Sequence, residues 1–219
     1  MTDYKQWQRE NWDRAHRESD ITALTGTGLG GHLTALGTAE LLMPLSTVLC
    51  IGVGMGDWVR DAALWAAETW ALDISPVAGA RMPVGVRFVT DARELPSDHF
   101  DLAMSLWVAP HMTDHDVEEQ LAEVIRSLKP TGIFALHYKE PLVDSATVDN
   151  REGAEDEYRR AEGAMMLRRR RHFAAMVQWA GGHVDRIAME YPSQFWQIIE
   201  VSIHIGKGTK GNGVALRRT

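Results

Sequence analysis

The chain has 219 residues, 45 % of them hydrophobic, and its 23 basic against 30 acidic side chains leave a formal net charge of −7. That length suits one α/β domain with a small addition and a full core, and the acidic balance disfavours a nucleic-acid surface, which needs net positive charge to neutralise phosphates. No run approaches the ~18 apolar residues of a membrane span, residues 1–20 are charged throughout and unlike a secretion signal, and a single cysteine, Cys50, excludes an internal disulfide; the expected setting is the cytoplasm.

Residues 3–18 read as a helix with Tyr4, Trp7, Trp12 and Ala15 near one face, either packed on the domain or closing over a ligand as a lid. Gly26 to Gly31 contains Gly-x-Gly-x-x-Gly, the dinucleotide spacing, but Ile21 to Thr25 before it is a poor strand and no suitably placed acid follows, so a loop is expected. His32 to Met43 reads as a short helix stopped by Pro44.

Val48-Leu49-Cys50-Ile51 reads as a buried parallel strand, over residues 46–52, that breaks into Gly52, Gly54 and Gly56 at alternate positions, followed by Asp57 and a helix over 57–67. Glycines there let the backbone turn sharply and let a ligand lie against it. A second strand, Glu68 to Ser75, carries Asp73, an acid about 20 positions past the glycines and suited to ribose hydroxyls. The short connection from Ser75 to Pro83 leads to a third strand, Val86 to Ala92, which carries Asp91, suited to an adenine amino group. Two carboxylates at successive strand ends fit a neutral nucleoside and would repel a polyphosphate, and the absence of a lysine after the glycines excludes a P-loop.

Phe100 to Trp107 reads as a fourth strand and residues 114–128 as a helix, with Val117, Leu121, Val124, Ile125 and Leu128 on one face, a capping box from Thr113 and Asp116, and a stop at Lys129-Pro130. Gly132 to Lys139 is a fifth strand. Residues 140–162 are polar, with Glu152, Glu155, Asp156 and Glu157 close together, and read as an insertion that is either solvated or a substrate cap. Arg168 to Arg171 opens a helix and is expected to spread around a solvated surface. Gly181-Gly182 ends that helix; His183 to Tyr191 and Trp196 to Ile205 are two strands joined at Pro192; a glycine-rich tail follows, with 208–219 expected to be mobile.

This ordered set resembles the class I S-adenosylmethionine-dependent methyltransferases over roughly residues 45–205. The resemblance implies a doubly wound, mostly parallel seven-stranded α/β sheet with helices on both faces, spanning 45–207 with a cap insertion at about 140–162, behind an N-terminal helical extension over 1–44. It implies S-adenosylmethionine as cofactor and S-adenosylhomocysteine as product. Gly52, Val53, Gly54 and Gly56 would hold the cofactor, Asp73 with Ile74 the ribose, Asp91 and Ala92 the adenine, and Leu106 would pack nearby. The family has an acid where this chain has Cys50, a departure that touches the usual contact to the methionine amino group; Asp57 is the candidate replacement.

In an open α/β sheet ligands bind outside the carboxyl ends of the strands, which selects Trp107, Pro110, His111 and Met112 after the fourth strand, and His137 and Tyr138 on the fifth. Phe195 and Trp196 enter the last strand from a hairpin and are less certainly placed. His111 leads as general base and His137 follows, with a strand-capping role as the alternative for each; Tyr138 either orients substrate or plugs the pocket. His111 and His115 stand four apart, but no third metal ligand is evident and no metal is expected. The expected activity is methyl transfer to oxygen or nitrogen of a small-molecule acceptor, with no membrane partner and an open oligomeric state. The alternatives are a non-catalytic S-adenosylmethionine-binding subunit, a nicotinamide-dependent oxidoreductase using Gly26 to Gly31, and an RNA or protein methyltransferase.

Overall fold

A computed structural model describes residues 4–18, 46–54, 56–141, 166–192 and 196–205. The glycine loop 26–31, the helix expected over 32–43, the acidic part of the 140–162 insertion, Phe195 and the tail lie outside them, as does the side chain of Asp57. In chain order the elements are α1 (Tyr4–Glu18), β1 (Thr47–Ile51), α2 (Asp57–Trp65), β2 (Glu68–Leu72), the short α3 (Pro76–Gly79), β3 (Arg87–Val89), β4 (Phe100–Ser105), α4 (Asp114–Ser127), β5 (Leu128–Pro141), α5 (Arg170–Trp179), β6 (Gly182–Pro192) and β7 (Trp196–Ile205).

Among the described residues seven strands form one sheet in the order β3-β2-β1-β4-β5-β7-β6, parallel except that β7 runs against both β5 and β6. The doubly wound architecture expected from the sequence is the one observed. Alternation along β1 splits the core: Leu49 and Ile51 join a large layer with Val117, Leu121 and Val124 of α4 and Phe173 and Val177 of α5, while Val48 and Cys50 join Trp58, Val59 and Ala62 of α2 on the other face. Each fully buried Leu, Ile or Val in these layers is worth about 1.5–3 kcal/mol.

Three boundaries differ from the sequence expectation. The connection after β2 contains the helix α3, started by Pro76, whose fixed φ suits a first helical position. The turn expected at Lys129-Pro130-Thr131-Gly132 lies inside β5: Phe100 pairs with Leu128 but Leu102 pairs with Ile133, so residues 129–132 bulge out of the ladder. A Cβ on Gly132 would lie 2.7 Å from the Phe100 carbonyl oxygen, which is why glycine closes the bulge. Arg168 and Arg169 precede α5 instead of lying on it, and Arg168 is 1 % exposed.

Helix α4 starts at Thr113, whose Oγ1 accepts from the Asp116 amide at 3.2 Å and donates to the Asp116 carboxylate at 2.8 Å. Replacing this cap by Thr113→Ala is expected to lower stability by about 1 kcal/mol, read in urea as a lower midpoint with an unchanged slope.

Candidate functional site

Strand register assembles the site. Ile51 pairs with Leu72, so Gly52 comes level with Asp73, and the Gly52 amide donates to the Leu72 carbonyl at 2.8 Å. Leu72 pairs with Val89, which brings Asp91 to the next strand end; Ile51 also pairs with Ser105, which brings Leu106 to Val108 over the glycine turn. A cavity of about 950 Å³ opens there, lined among others by Gly52, Val53, Gly54, Gly56, Asp73, Ile74, Asp91, Ala92, Leu106 and His111.

The glycine turn is a backbone cradle. Gly52 has φ 67° and a Cβ there would lie 2.0 Å from Val108 Cγ2, whereas Gly54 has φ 53° and a Cβ would meet nothing within 4 Å. Left-handed backbone and close packing require glycine at the first; at the second an open face is turned to the cavity. The Gly54 amide donates to Asp73 Oδ2 at 3.2 Å and the Ser75 amide to Asp73 Oδ1 at 2.9 Å. Burial raises the Asp73 carboxyl above the ordinary range, while those amides and the nearby His16 pull it back. Asp91 differs: Arg93 grips both carboxylate oxygens, with Nε at 2.9 and 3.0 Å, and holds the group down at about 2. A carboxylate offers about four acceptor positions, so Asp91 keeps capacity for a further donor.

Cys50 is fully buried in the layer under α2, its thiol pushed up by desolvation, and it stands away from the cavity wall. The chain therefore has no carboxylate at the β1 position where the resembling family has its acid. His115 lines the cavity but pairs with Glu119 at 3.4 Å, and among the described residues no cluster of three or more metal-ligating side chains occurs.

The candidates beyond β4 and β5 separate. His111 lines the cavity in a short turn, Ala109–His111, and burial, then the charge of Lys139, hold its imidazole down at about 4. His137 is fully buried behind Trp107, rings edge to face at 5.8 Å, and Tyr138 is stacked on Phe173 at 4.2 Å in the core. Neither is on the cavity wall, because β5 continues past the cavity into its pairing with β7 and both residues lie in its middle. The structure places both in packing contacts with Trp107 and Phe173 and not beside His111 on that wall. Trp107 does line the cavity, at φ 64°, a conformation that costs a bulky residue about 1–3 kcal/mol and marks functional loops.

Two features went unread in the sequence, the polar buried side of α1 and the setting of Arg168. Helix α1 lies across the cavity, lining it with Lys5, Gln8, Arg9, Trp12 and His16. Its buried side is Gln8 and His16, with Trp12 between them, at four-residue spacing; a search for apolar stripes passes over such a polar one. Arg168, expected on a solvated surface, is the clamp of the His111 turn: Nη1 donates to the Ala109 carbonyl at 2.8 Å, Nη2 to the Met112 carbonyl at 2.5 Å, and Nε to Asp114 at 2.8 Å. Its backbone amide reaches the Lys139 carbonyl at 2.7 Å, tying the turn to β5. A guanidinium spreads its donors over three nitrogens in a planar fork, as these three acceptors require, whereas a lysine gathers its three donors on one nitrogen.

Residues 48–132 match the family model described as a methyltransferase domain. No curated protein matches the chain. Among solved structures, it is similar to the 1,6-didemethyltoxoflavin-N1-methyltransferase of Burkholderia thailandensis, solved with 1,6-didemethyltoxoflavin and S-adenosylhomocysteine bound, at 16 % identity and a TM-score of 0.64 over 92 % of this chain and 89 % of that one. An S-adenosylmethionine-dependent methyltransferase from Mesorhizobium loti gives 16 % and 0.57 over 77 % and 95 %. The [4+2]-cyclase SpnF gives 14 % and 0.65 over 92 % and 97 %. The sheet order is that of the class I methyltransferase fold, and the glycine cradle lies within the stretch that matches the methyltransferase domain model.

Two outcomes follow from the His111 turn. Arg168→Met removes the guanidinium from Asp114, which keeps His172, and from two carbonyls, and is expected to destabilise by about 1–3 kcal/mol in urea unfolding, with Arg168→Lys recovering only part. His111 has an ordinary value of 6.5 and about 4 when folded, so between those values the unfolded chain binds the extra proton and stability falls as pH falls. The loss amounts to about 3 kcal/mol in all. Urea midpoints of wild type and His111→Gln between pH 7 and 4 should converge if this holds; parallel curves would refute it.

Proposed function

We propose that the protein transfers the methyl group of S-adenosylmethionine to a nitrogen or oxygen of a small-molecule acceptor bound between His111, Trp107, Met112 and α1. The observation that carries the reading is the cavity of about 950 Å³ that joins the glycine cradle to the His111 turn beneath α1. The cradle fits the cofactor: Gly52, Val53, Gly54 and Gly56 admit its backbone-facing part, Asp73 with Ile74 takes the ribose, and Asp91, Ala92 and Leu106 take the adenine. Bound there, the sulfonium supplies an already activated methyl group with a neutral leaving group.

The chain's own residues then have three tasks. Trp107 and Met112 shape the acceptor site and exclude water, so the nucleophile is held in line; such positioning supplies much of the acceleration. His111, neutral above about pH 4, carries an unprotonated imidazole at neutral pH, but so depressed a value makes it a weak base. That favours an acceptor needing little deprotonation: an uncharged amine, or a hydroxyl that is already acidic. Helix α1 acts as the cover of this site. No helix among the described residues is long and apolar enough to cross a membrane, and a cytoplasmic role fits the acidic composition.

A second reading has one specific observation behind it. With Cys50 buried where the family has an acid, and with the fold shared by a [4+2]-cyclase, the chain could hold the cofactor while converting its substrate without methyl transfer.

The decisive experiment is calorimetric titration with S-adenosylhomocysteine, with NADH in parallel, followed by a screen of small amines and phenols with methyl-labelled cofactor. Micromolar binding of the first ligand alone, and label in a product whose formation falls at least tenfold in His111→Ala while cofactor affinity stays, is the expected result. Label-free conversion of a substrate would support the second reading; binding of NADH alone would overturn both.

A further inference from the structure

Helix α1 is pinned at both ends by contacts that do not involve the imidazole of His16. At its start Lys5 pairs with Glu119 and, at 3.6 Å, with Asp116 of α4. Gln8 Nε2 donates to the His111 carbonyl at 2.6 Å, and Trp12 meets the His111 ring edge-on at 5.2 Å. Toward its end Ser75 Oγ donates to Asp13, and Arg81 Nη2 donates to the His16 carbonyl at 2.6 Å. The His16 side chain is thus held by its backbone: the residue is 5 % exposed, tilted against Trp12 at 6.1 Å, and lines the cavity.

Its Nδ1 has no hydrogen-bond partner among the described residues. A buried ring nitrogen without a partner is destabilising unless something supplies one. The place of the ring says what that is. Asp13, less than one helical turn before His16, is bonded to Ser75, two residues beyond Asp73, and Asp73 senses the His16 charge. Asp73 has its own two oxygens already engaged by amides, leaving outward acceptor capacity for hydroxyls.

We propose that His16 is a binding residue of the cofactor site, its Nδ1 bonding a ribose hydroxyl of the nucleoside that Asp73 holds from the other side. This deepens the assignment of the cavity to S-adenosylmethionine and rests on it. A ribose hydroxyl can donate to the carboxylate and accept from the imidazole at once, so the two side chains clamp the diol between the sheet and α1. The cover is thereby coupled to the cofactor: the helix that closes the acceptor site has one of its buried polar groups satisfied only when the nucleoside is in place.

The test is calorimetry of wild type, His16→Ala, His16→Asn and His16→Gln with S-adenosylhomocysteine, adenosine and 2′,3′-dideoxyadenosine, with thermal melts as a folding check. Asparagine carries its amide where Nδ1 stands and glutamine where Nε2 stands. The expected pattern is a loss of about tenfold for both hydroxyl-bearing ligands in His16→Ala, recovery in His16→Asn but not in His16→Gln, and no change for the dideoxynucleoside. An unchanged adenosine affinity in folded His16→Ala overturns the proposal, whether or not S-adenosylhomocysteine is weakened, since a loss confined to the latter puts His16 at the amino-acid end. Equal losses for the dideoxynucleoside overturn it as well. Wild-type protein that binds none of the three would instead remove the cofactor site, and this assignment with it.

Discussion

The register of four parallel strands is the constraint on which the rest depends. Ile51 pairs with Leu72 on one side and Ser105 on the other, and Leu72 pairs with Val89. Those pairings bring a glycine turn, a buried carboxylate, a second acid and a strained tryptophan loop to one edge of the sheet from positions up to 55 residues apart. A slip of one residue in any parallel pair would turn its alternating side chains to the opposite face, burying polar groups in the two core layers, so the apolar pattern of β1 and β4 protects the site geometry. The 2.0 Å approach of a hypothetical Gly52 Cβ to Val108 measures how closely the β4 loop is drawn over the turn.

On this edge the electrostatics are divided between floor and rim. The floor is acceptor-rich and desolvated: Asp73 is raised by burial and steadied by backbone amides, an arrangement that favours a neutral donor such as a hydroxyl. The rim is a set of ion pairs, Asp91 with Arg93 and Lys5 with Glu119 and Asp116, which leaves its charges mutually satisfied. Between the two, His111 is kept neutral by burial and by the charge of Lys139. Arg168 supports that turn from beneath with three acceptors, one of which, Asp114, also takes His172 at 2.7 Å and raises its imidazole above the usual range. A residue with no surface thus governs the placement of one that lines the cavity.

The cover is attached by polar contacts. Gln8, Asp13 and the His16 carbonyl bond groups on the His111 turn, after β2 and at Arg81, so α1 bridges the His111 and Asp73 ends of the cavity. Directional bonds of this kind fix a helix in one orientation, whereas an apolar face alone would permit sliding. Each is individually modest, about 0.5–1.5 kcal/mol net.

Much of this was legible in the chain itself. The apolar run into Gly52, Gly54 and Gly56, the acids at Asp73 and Asp91, the amphipathic helix after Thr113 and the final antiparallel strand are all local patterns, because period, turn chemistry and capping act over a few residues and leave their mark in sequence order. What tertiary structure decided is everything set by contacts between distant segments. His137 and Tyr138 lie close in sequence to a predicted strand end, but β5 runs on beside β7 and carries them into the core. Arg168 looks like one more surface charge until Ala109, Met112 and Asp114 close around it, and the polar stripe of Gln8 and His16 has meaning only where α1 meets the cavity. Periodicity reports which face of a segment avoids water; it does not report which buried polar group will find its partner 60 or 100 residues away, and that pairing exists only once the chain is folded.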